Sequence, residues 1–326
     1  MNVLARPGHF GGGMDYSRRT HYVATQQVFP ESSMAIVPRR SVLYMPASNA
    51  RALEKSRSLP ADGLIFDLED AVAPDAKNAA RDHLEAFLKS AGLGSRERVI
   101  RINGLETPWS RDDFSMAARC APDAILVPKI SSPGDIMRAA RDMRDAGVPE
   151  KTRLWAMMET PLAVLNADSI ARTVADPSSR LSVLVMGVND LARETRARLS
   201  NGRAAMMPWI ATCVAAARAH GADILDGVCN ETQNPEILRA ECEQGRDFGM
   251  DGKTLIHPSQ IDICNEVFSP AADEISWARR VVAEFAKPEN AMKGVLQLDG
   301  RMLEHMHLDM ARRVIEIDRA LRRESP

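Results

Sequence analysis

Acidic and basic residues recur at one kind of position in this 326-residue chain, directly behind short apolar runs. Asp67, Glu69 and Asp70 follow Gly-Leu-Ile-Phe, and Arg101 ends Val-Ile-Arg. Lys129 follows Ala-Ile-Leu-Val-Pro, and Glu159 follows Leu-Trp-Ala-Met-Met. Asp190 comes after Val-Leu-Val-Met-Gly-Val-Asn, and Asp226 after Ile-Leu. Glu159 and Asp190 are hard oxygen donors, and two carboxylates completed by water and substrate oxygens suit Mg²⁺. With no His or Cys beside them, Zn²⁺ is disfavoured. Each acid also has a plainer reading, as the cap of a following helix. Arg101 needs an anion wherever it is buried, either a substrate carboxylate or its neighbours Asp67 and Asp70.

The elements that would carry these side chains alternate in type. Apolar runs at residues 41–45, 63–68, 99–103, 124–127, 154–158, 183–186, 223–225 and 252–255 read as eight strands. Between and after them, amphipathic stretches at 49–58, 74–91, 112–119, 133–146, 162–174, 206–220 and 236–248 read as helices, the first capped by Ser48. Pro74 suits the first turn of its helix, where the missing N–H would have been unpaired anyway. Several strands are continuous apolar runs, as a parallel sheet buried on both faces requires. Eight such units predict closure into a (β/α)₈ barrel. An open doubly wound sheet is the competing architecture, but no G-x-G-x-x-G follows the first strand. In a barrel the C-terminal strand ends form one face, so the charged residues above would converge there.

The organisation predicted from this pattern is a flexible arm over residues 1–38, a barrel over 39–268 and a helical extension over 269–326. That extension contains helices near 272–285 and 302–321, joined at 293–301 by a Gly-bounded connection suited to a loop or lid. A clasp around a neighbouring subunit is a second reading of the arm. The formal net charge of −2 lacks the basic excess of a nucleic-acid binder. No apolar run is long enough to span a membrane. Five scattered cysteines without a C-x-x-C pair predict reduced thiols in a cytoplasmic protein.

Eight stretches in order carry a family resemblance: Tyr44-Met-Pro-Ala-Ser-Asn49, Asp67-Leu-Glu-Asp-Ala-Val-Ala-Pro74, Arg101-Ile-Asn-Gly-Leu-Glu-Thr-Pro108, Val127-Pro-Lys129, Met158-Glu-Thr-Pro161, Gly187-Val-Asn-Asp-Leu-Ala192, Asp251-Gly-Lys-Thr-Leu-Ile-His-Pro258 and Leu298-Asp-Gly-Arg-Met302. In these the chain resembles the citrate lyase β-subunit-like, HpcH/HpaI aldolase group, which includes malyl-CoA and citramalyl-CoA lyases.

The resemblance implies a TIM barrel with a C-terminal extension, and a homo-oligomer that is commonly a trimer. It implies Mg²⁺, with Mn²⁺ able to stand in, held at Glu159 and Asp190, and a substrate-binding Arg101. Glu69 and Asp70, with Asp67 beside them, would hydrogen-bond water on the metal. Tyr44 and Lys55 match positions lining a CoA site, and His257 lies near the nucleotide in relatives, although a structural turn explains it equally well. Asn49 departs from the arginine that malyl-CoA lyases often carry, so no phosphate contact is carried onto it.

The implied substrates are a CoA thioester and, in reverse, a 2-oxoacid. The implied reaction is retro-Claisen cleavage of a 3-hydroxy-3-carboxyacyl-CoA, with Asp299 of a neighbouring subunit protonating the resulting enolate. Thioester hydrolysis at the same site and a non-catalytic binding role are the alternatives. The extension favours a free-standing enzyme using CoA, because many β subunits of the citrate lyase complex lack it.

Overall fold

A computed structural model describes residues 36–90, 92–290 and 293–323. The arm predicted for residues 1–38 lies outside them, apart from its last three residues. Eight parallel strands close into a barrel in sequence order. They are β1 (Ser41–Pro46), β2 (Gly63–Asp67), β3 (Glu97–Arg101), β4 (Ala124–Val127), β5 (Arg153–Met158), β6 (Leu181–Met186), β7 (Asp223–Asp226) and β8 (Gly252–Leu255). β1 pairs with both β2 and β8, which completes the ring.

The continuous apolar runs have the cause inferred for them, because both faces of the strands are buried. Val42, Ile65, Val99, Trp155, Val183 and Leu225 fill the barrel interior. Residues one step along, such as Leu43, Leu64, Phe66, Ile100 and Leu184, pack outward in the larger core that includes the helices. The step of one residue switches faces because side chains alternate along a strand.

Several local expectations change. The first helix is Ala50–Ser56, and its cap is Asn49, whose side chain accepts from the Ala52 N–H; Ser48 instead donates to Ala71 O. The predicted helix over 162–174 breaks at Asn166 into Pro161–Leu165 and Ala167–Ala171. The Asn166 backbone leaves helical geometry there, and the Asn166 side-chain Nδ2 donates to Ser131 O at 2.8 Å. The third strand starts and ends two residues before its predicted bounds, so Asn103 lies beyond it.

The 293–301 connection is a β-hairpin rather than a loop. Antiparallel β9 (Val295–Leu298) and β10 (Arg301–Glu304) meet at Asp299-Gly300. Both turn residues have positive φ, 51° and 75°, the geometry that makes Asp-Gly a strong hairpin signal. The helices Ala272–Phe285 and His305–Arg323 flank it, packing with β9 and β10 around Ala278, Val281, Leu296, Leu303 and Ala311.

Candidate functional site

The predicted convergence at the C-terminal strand ends is present for Asp67, Glu69, Arg101, Lys129 and Glu159. Asp67 ends β2 and Arg101 ends β3, and they are register partners across the two strands. Arg101 Nε and Nη2 therefore donate to Asp67 Oδ1 and Oδ2 at 2.7 and 2.6 Å. The Glu69 and Ala71 N–H groups also donate to Asp67. Four donors saturate this carboxylate, so Asp67 anchors Arg101 rather than holding water on a metal.

Arg101 Nη1 lies 2.9 Å from Glu69 Oε2 and 3.6 Å from Asp70 Oδ2. The N–H direction misses Glu69 Oε2, which accepts no hydrogen bond. Beneath the guanidinium, 4.9 Å away, lies the Tyr44 ring, a cation–π contact that fixes its plane. Burial works against the guanidinium charge, but Asp67 and Glu69 hold its pKa well above the ordinary value. The Tyr44 hydroxyl is buried without a partner, and that burial raises its pKa.

Glu69 links this pair to the next strands, because Lys129 Nζ donates to its Oε1 at 3.0 Å. Lys129 has a left-handed backbone, φ 56°, and its N–H donates to Glu159 Oε1 at 2.7 Å. Glu159 is fully buried, and its Oε2 has no hydrogen-bond partner. Desolvation, then the charges of Glu69 and Asp190, push its pKa from 4.5 up to about 8. Burial likewise raises Glu69. A buried carboxylate oxygen with no donor, among other carboxylates, has the chemistry of a ligand for a hard cation.

Asp190 lies in the first turn of the helix Val188–Thr195 that follows β6, and its carboxylate pairs with Arg193 of the same helix. Gly187, just before this helix, makes room for Glu159, since a Cβ there would collide with the Glu159 Cβ and lie 2.8 Å from its Oε2. Among the described residues, no group of three or more His, Cys, Asp or Glu side chains could hold a metal. The donor set is therefore protein-poor, which fits Mg²⁺ with its retained waters and excludes a full protein cage.

Other expected site residues lie apart from this cluster. Asp226 is sealed, with Lys253 Nζ at 2.8 Å and Arg203 Nη1 at 2.7 Å, so this strand-end acid braces the fold. The His257 ring caps the turn Pro258–Gln260 through Ser259, the structural-turn reading of that residue. Lys55 is exposed on the first helix. Asp299 is half-exposed and pairs with Arg280 in the extension; among the described residues no ion pair joins it to Arg101.

Two contributors escaped the sequence reading. Lys77 is buried, and its Nζ donates to Leu68 O and Glu69 O at 2.7 Å each, pinning the loop that carries Glu69. A signal existed: Lys77 opens the helix Lys77–Lys89, where the helix dipole disfavours a cation. Asp113 is fully buried and accepts from the Asn103 backbone and side chain and from Arg81, fixing the segment behind Arg101. Its position on the apolar face of its helix was the available sign.

Fold and cluster together define a TIM-barrel protein with a carboxylate-anchored arginine and a group of buried carboxylates at its C-terminal mouth. Residues 40–258 match the HpcH/HpaI aldolase/citrate lyase family, and the chain belongs to that family. It is 50% identical over 278 residues to the (3S)-malyl-CoA thioesterase of Cereibacter sphaeroides, an alignment covering 85% of this chain and 94% of the relative. It is 32% identical to the citrate lyase β subunit of Escherichia coli, covering 85% and 92%. Among solved structures, the CitE protein of Mycobacterium tuberculosis, in complex with magnesium, acetoacetate and coenzyme A, superposes with a TM-score of 0.69 at 27% identity. That match covers 87% of this chain and 98% of the other.

Proposed function

We propose that this chain is a Mg²⁺-dependent enzyme of malyl-CoA-type thioesters, and that it hydrolyses the thioester to a hydroxydicarboxylate and free CoA. The single observation carrying the choice of reaction is the 50% identity to (3S)-malyl-CoA thioesterase along 85% of the chain. The second reading is retro-Claisen cleavage to an acyl-CoA and a 2-oxoacid. It is favoured by the similarity to the citrate lyase β subunit and by the presence of Arg101, Glu159, Asp190 and Asp299 in the matching segments.

Both reactions place negative charge on the thioester oxygen, as a tetrahedral oxyanion or as an enolate. Arg101, held flat by Asp67 and Tyr44, is the donor suited to that charge through Nη1. Glu159 through Oε2 and Asp190 would hold the cation, and Glu69 and Asp70 would bind its water. When bound, Mg²⁺ supplies Lewis acidity toward the substrate's hydroxyl and carboxylate oxygens. In hydrolysis Glu69, with its proton affinity raised by burial, accepts the proton of the attacking water; as the C–S bond breaks it returns that proton to the departing sulfur, so that CoA leaves as the thiol.

In cleavage the enolate carbon needs a proton donor. Asp299 serves that role in this reading, delivered from a second copy of the chain and released there from its pairing with Arg280 of the helix Ala272–Phe285. Residues 39–268 then form the catalytic domain and 269–326 the lid of a homo-oligomer. Tyr44, Lys55 and His257 would border the CoA portion of the ligand.

One incubation separates the two reactions. Malyl-CoA with enzyme and Mg²⁺ is assayed in parallel for released thiol and released 2-oxoacid. Thiol with malate supports hydrolysis; glyoxylate with acetyl-CoA and no thiol establishes cleavage instead. Neither product from malyl-, methylmalyl-, citramalyl- or citryl-CoA leaves only the binding role.

A further inference from the structure

Asp190 is the one proposed metal ligand already occupied by a cation of its own chain. Arg193, one helical turn on, pairs with its carboxylate; the Arg193 side chain is 67% exposed and that of Asp190 15%. Glu194 Oε1 is a second, distant partner of the same guanidinium at 3.8 Å. With its guanidinium end open to solvent the pair is a weak one, and a divalent cation competes with it for the carboxylate. The helix ends at Arg196, whose left-handed backbone (φ 60°) turns the chain, and Arg196 and Arg198 are both exposed. Among the described residues neither has a carboxylate partner. Three arginines thus lie within six residues, directly behind a carboxylate assigned to a metal.

We propose that Arg193 is a displaceable counter-ion of Asp190. A divalent cation entering the mouth takes the carboxylate, and the freed guanidinium becomes a receptor for an anionic oxygen group of the substrate. This rests on the reading of Asp190 as a metal ligand. The consequence is linkage: binding of the metal prepares the anion site, and binding of the anion tightens the metal. Arg193 is then a residue that determines substrate affinity, inactive in the metal-free chain and engaged in the loaded one.

The test is calorimetric titration of the full chain with Mg²⁺ and Mn²⁺ at low ionic strength. Arg193→Gln should bind either ion more tightly, by up to about five-fold, because the competitor is gone. Arg193→Lys should stay near the starting protein, and Asp190→Asn should bind more weakly. In the Mg²⁺-loaded protein, Arg193→Gln should weaken binding of malate or of free CoA, with no such difference without metal. A loss confined to malate identifies a substrate carboxylate as the anion, and a loss confined to CoA identifies its phosphates. Metal affinity unchanged or weakened in Arg193→Gln, with Asp190→Asn weakened, overturns this inference and leaves the ligand assignment standing. Unchanged metal affinity in Asp190→Asn overturns both. Equal binding of both anions by loaded Arg193→Gln and starting protein overturns the receptor role.

Discussion

Arg101 and Asp67 face each other across β2 and β3 as register partners, joined by two parallel hydrogen bonds of 2.6 and 2.7 Å. The pair resolves a choice the sequence left open, whether the arginine meets a neighbouring acid or a substrate. Asp67 takes one edge of the guanidinium, and Nη1 remains on the side of Glu69 and Asp70. Arg101→Lys keeps the charge but loses the planar fork, and turnover should fall on the order of 10²-fold. Asp67→Asn leaves a buried guanidinium with a poor partner and should cost about 3–5 kcal/mol in denaturant unfolding. Wild-type turnover in folded Arg101→Lys would show that the residue is only structural.

Gly187 and Glu159 give the second expectation. A methyl group at 187 would crowd the Glu159 carboxylate. Gly187→Ala should therefore destabilise the chain by about 1–3 kcal/mol and weaken Mg²⁺ binding in parallel. Thermal melts and calorimetric titration read the two effects. Unaltered metal affinity in this variant would mean that Glu159 Oε2 is not a donor atom.

The pH behaviour follows from Glu159, whose pKa rises from 4.5 to about 8 on folding. The metal-free native chain binds more protons than the unfolded one between those values. Stability from this residue is therefore fully present below about 4.5 and is lost as pH rises toward about 8. A cation reverses the preference, because a carboxylate must be ionised to bind it. Mg²⁺ affinity should climb with pH and level off above about 8, and EDTA should abolish turnover until Mg²⁺ is returned. A flat affinity profile between pH 6 and 9, or full activity in EDTA, would remove Glu159 from the metal site.

The fourth expectation concerns Asp299, which needs positive φ as well as its carboxylate. Asn tolerates that backbone, so Asp299→Asn should fold normally and bind Mg²⁺ and CoA. If Asp299 is the proton donor across subunits, it should lose proton exchange at the acyl-CoA α-carbon. Co-expressing Asp299→Asn chains with Glu159→Ala chains, each inactive alone, should then restore part of the activity in mixed oligomers. No recovery in verified mixed oligomers would place the acid in the same chain or on another residue.

Much of the scaffold was legible because it depends on local pattern. Continuous apolar runs report burial on both faces of a strand, and the eight runs became the eight barrel strands. The positions of Asp67, Arg101, Lys129 and Glu159 behind those runs predicted their convergence at one face, since a parallel barrel brings all its strand ends together. Local competition was less visible. Ser48 and Asn49 are both good caps, and the chain's path after β1 chose Asn49. Asp299-Gly300 carried a hairpin signal, but short flanking runs of mixed character did not declare themselves as strands.

Only the tertiary structure decided which strand-end charges are free. Asp67 and Asp226 have the same local setting as Glu159, an acid at the end of an apolar run. Yet Asp67 is saturated by Arg101 and two backbone N–H groups, Asp226 is closed off by Lys253 and Arg203, and Glu159 keeps one buried oxygen without a donor. What separates them is the donors supplied by other strands and helices, dozens of residues away in sequence. Sequence fixes the type and local placement of a charge, whereas its availability for chemistry depends on partners that only folding brings within hydrogen-bond range.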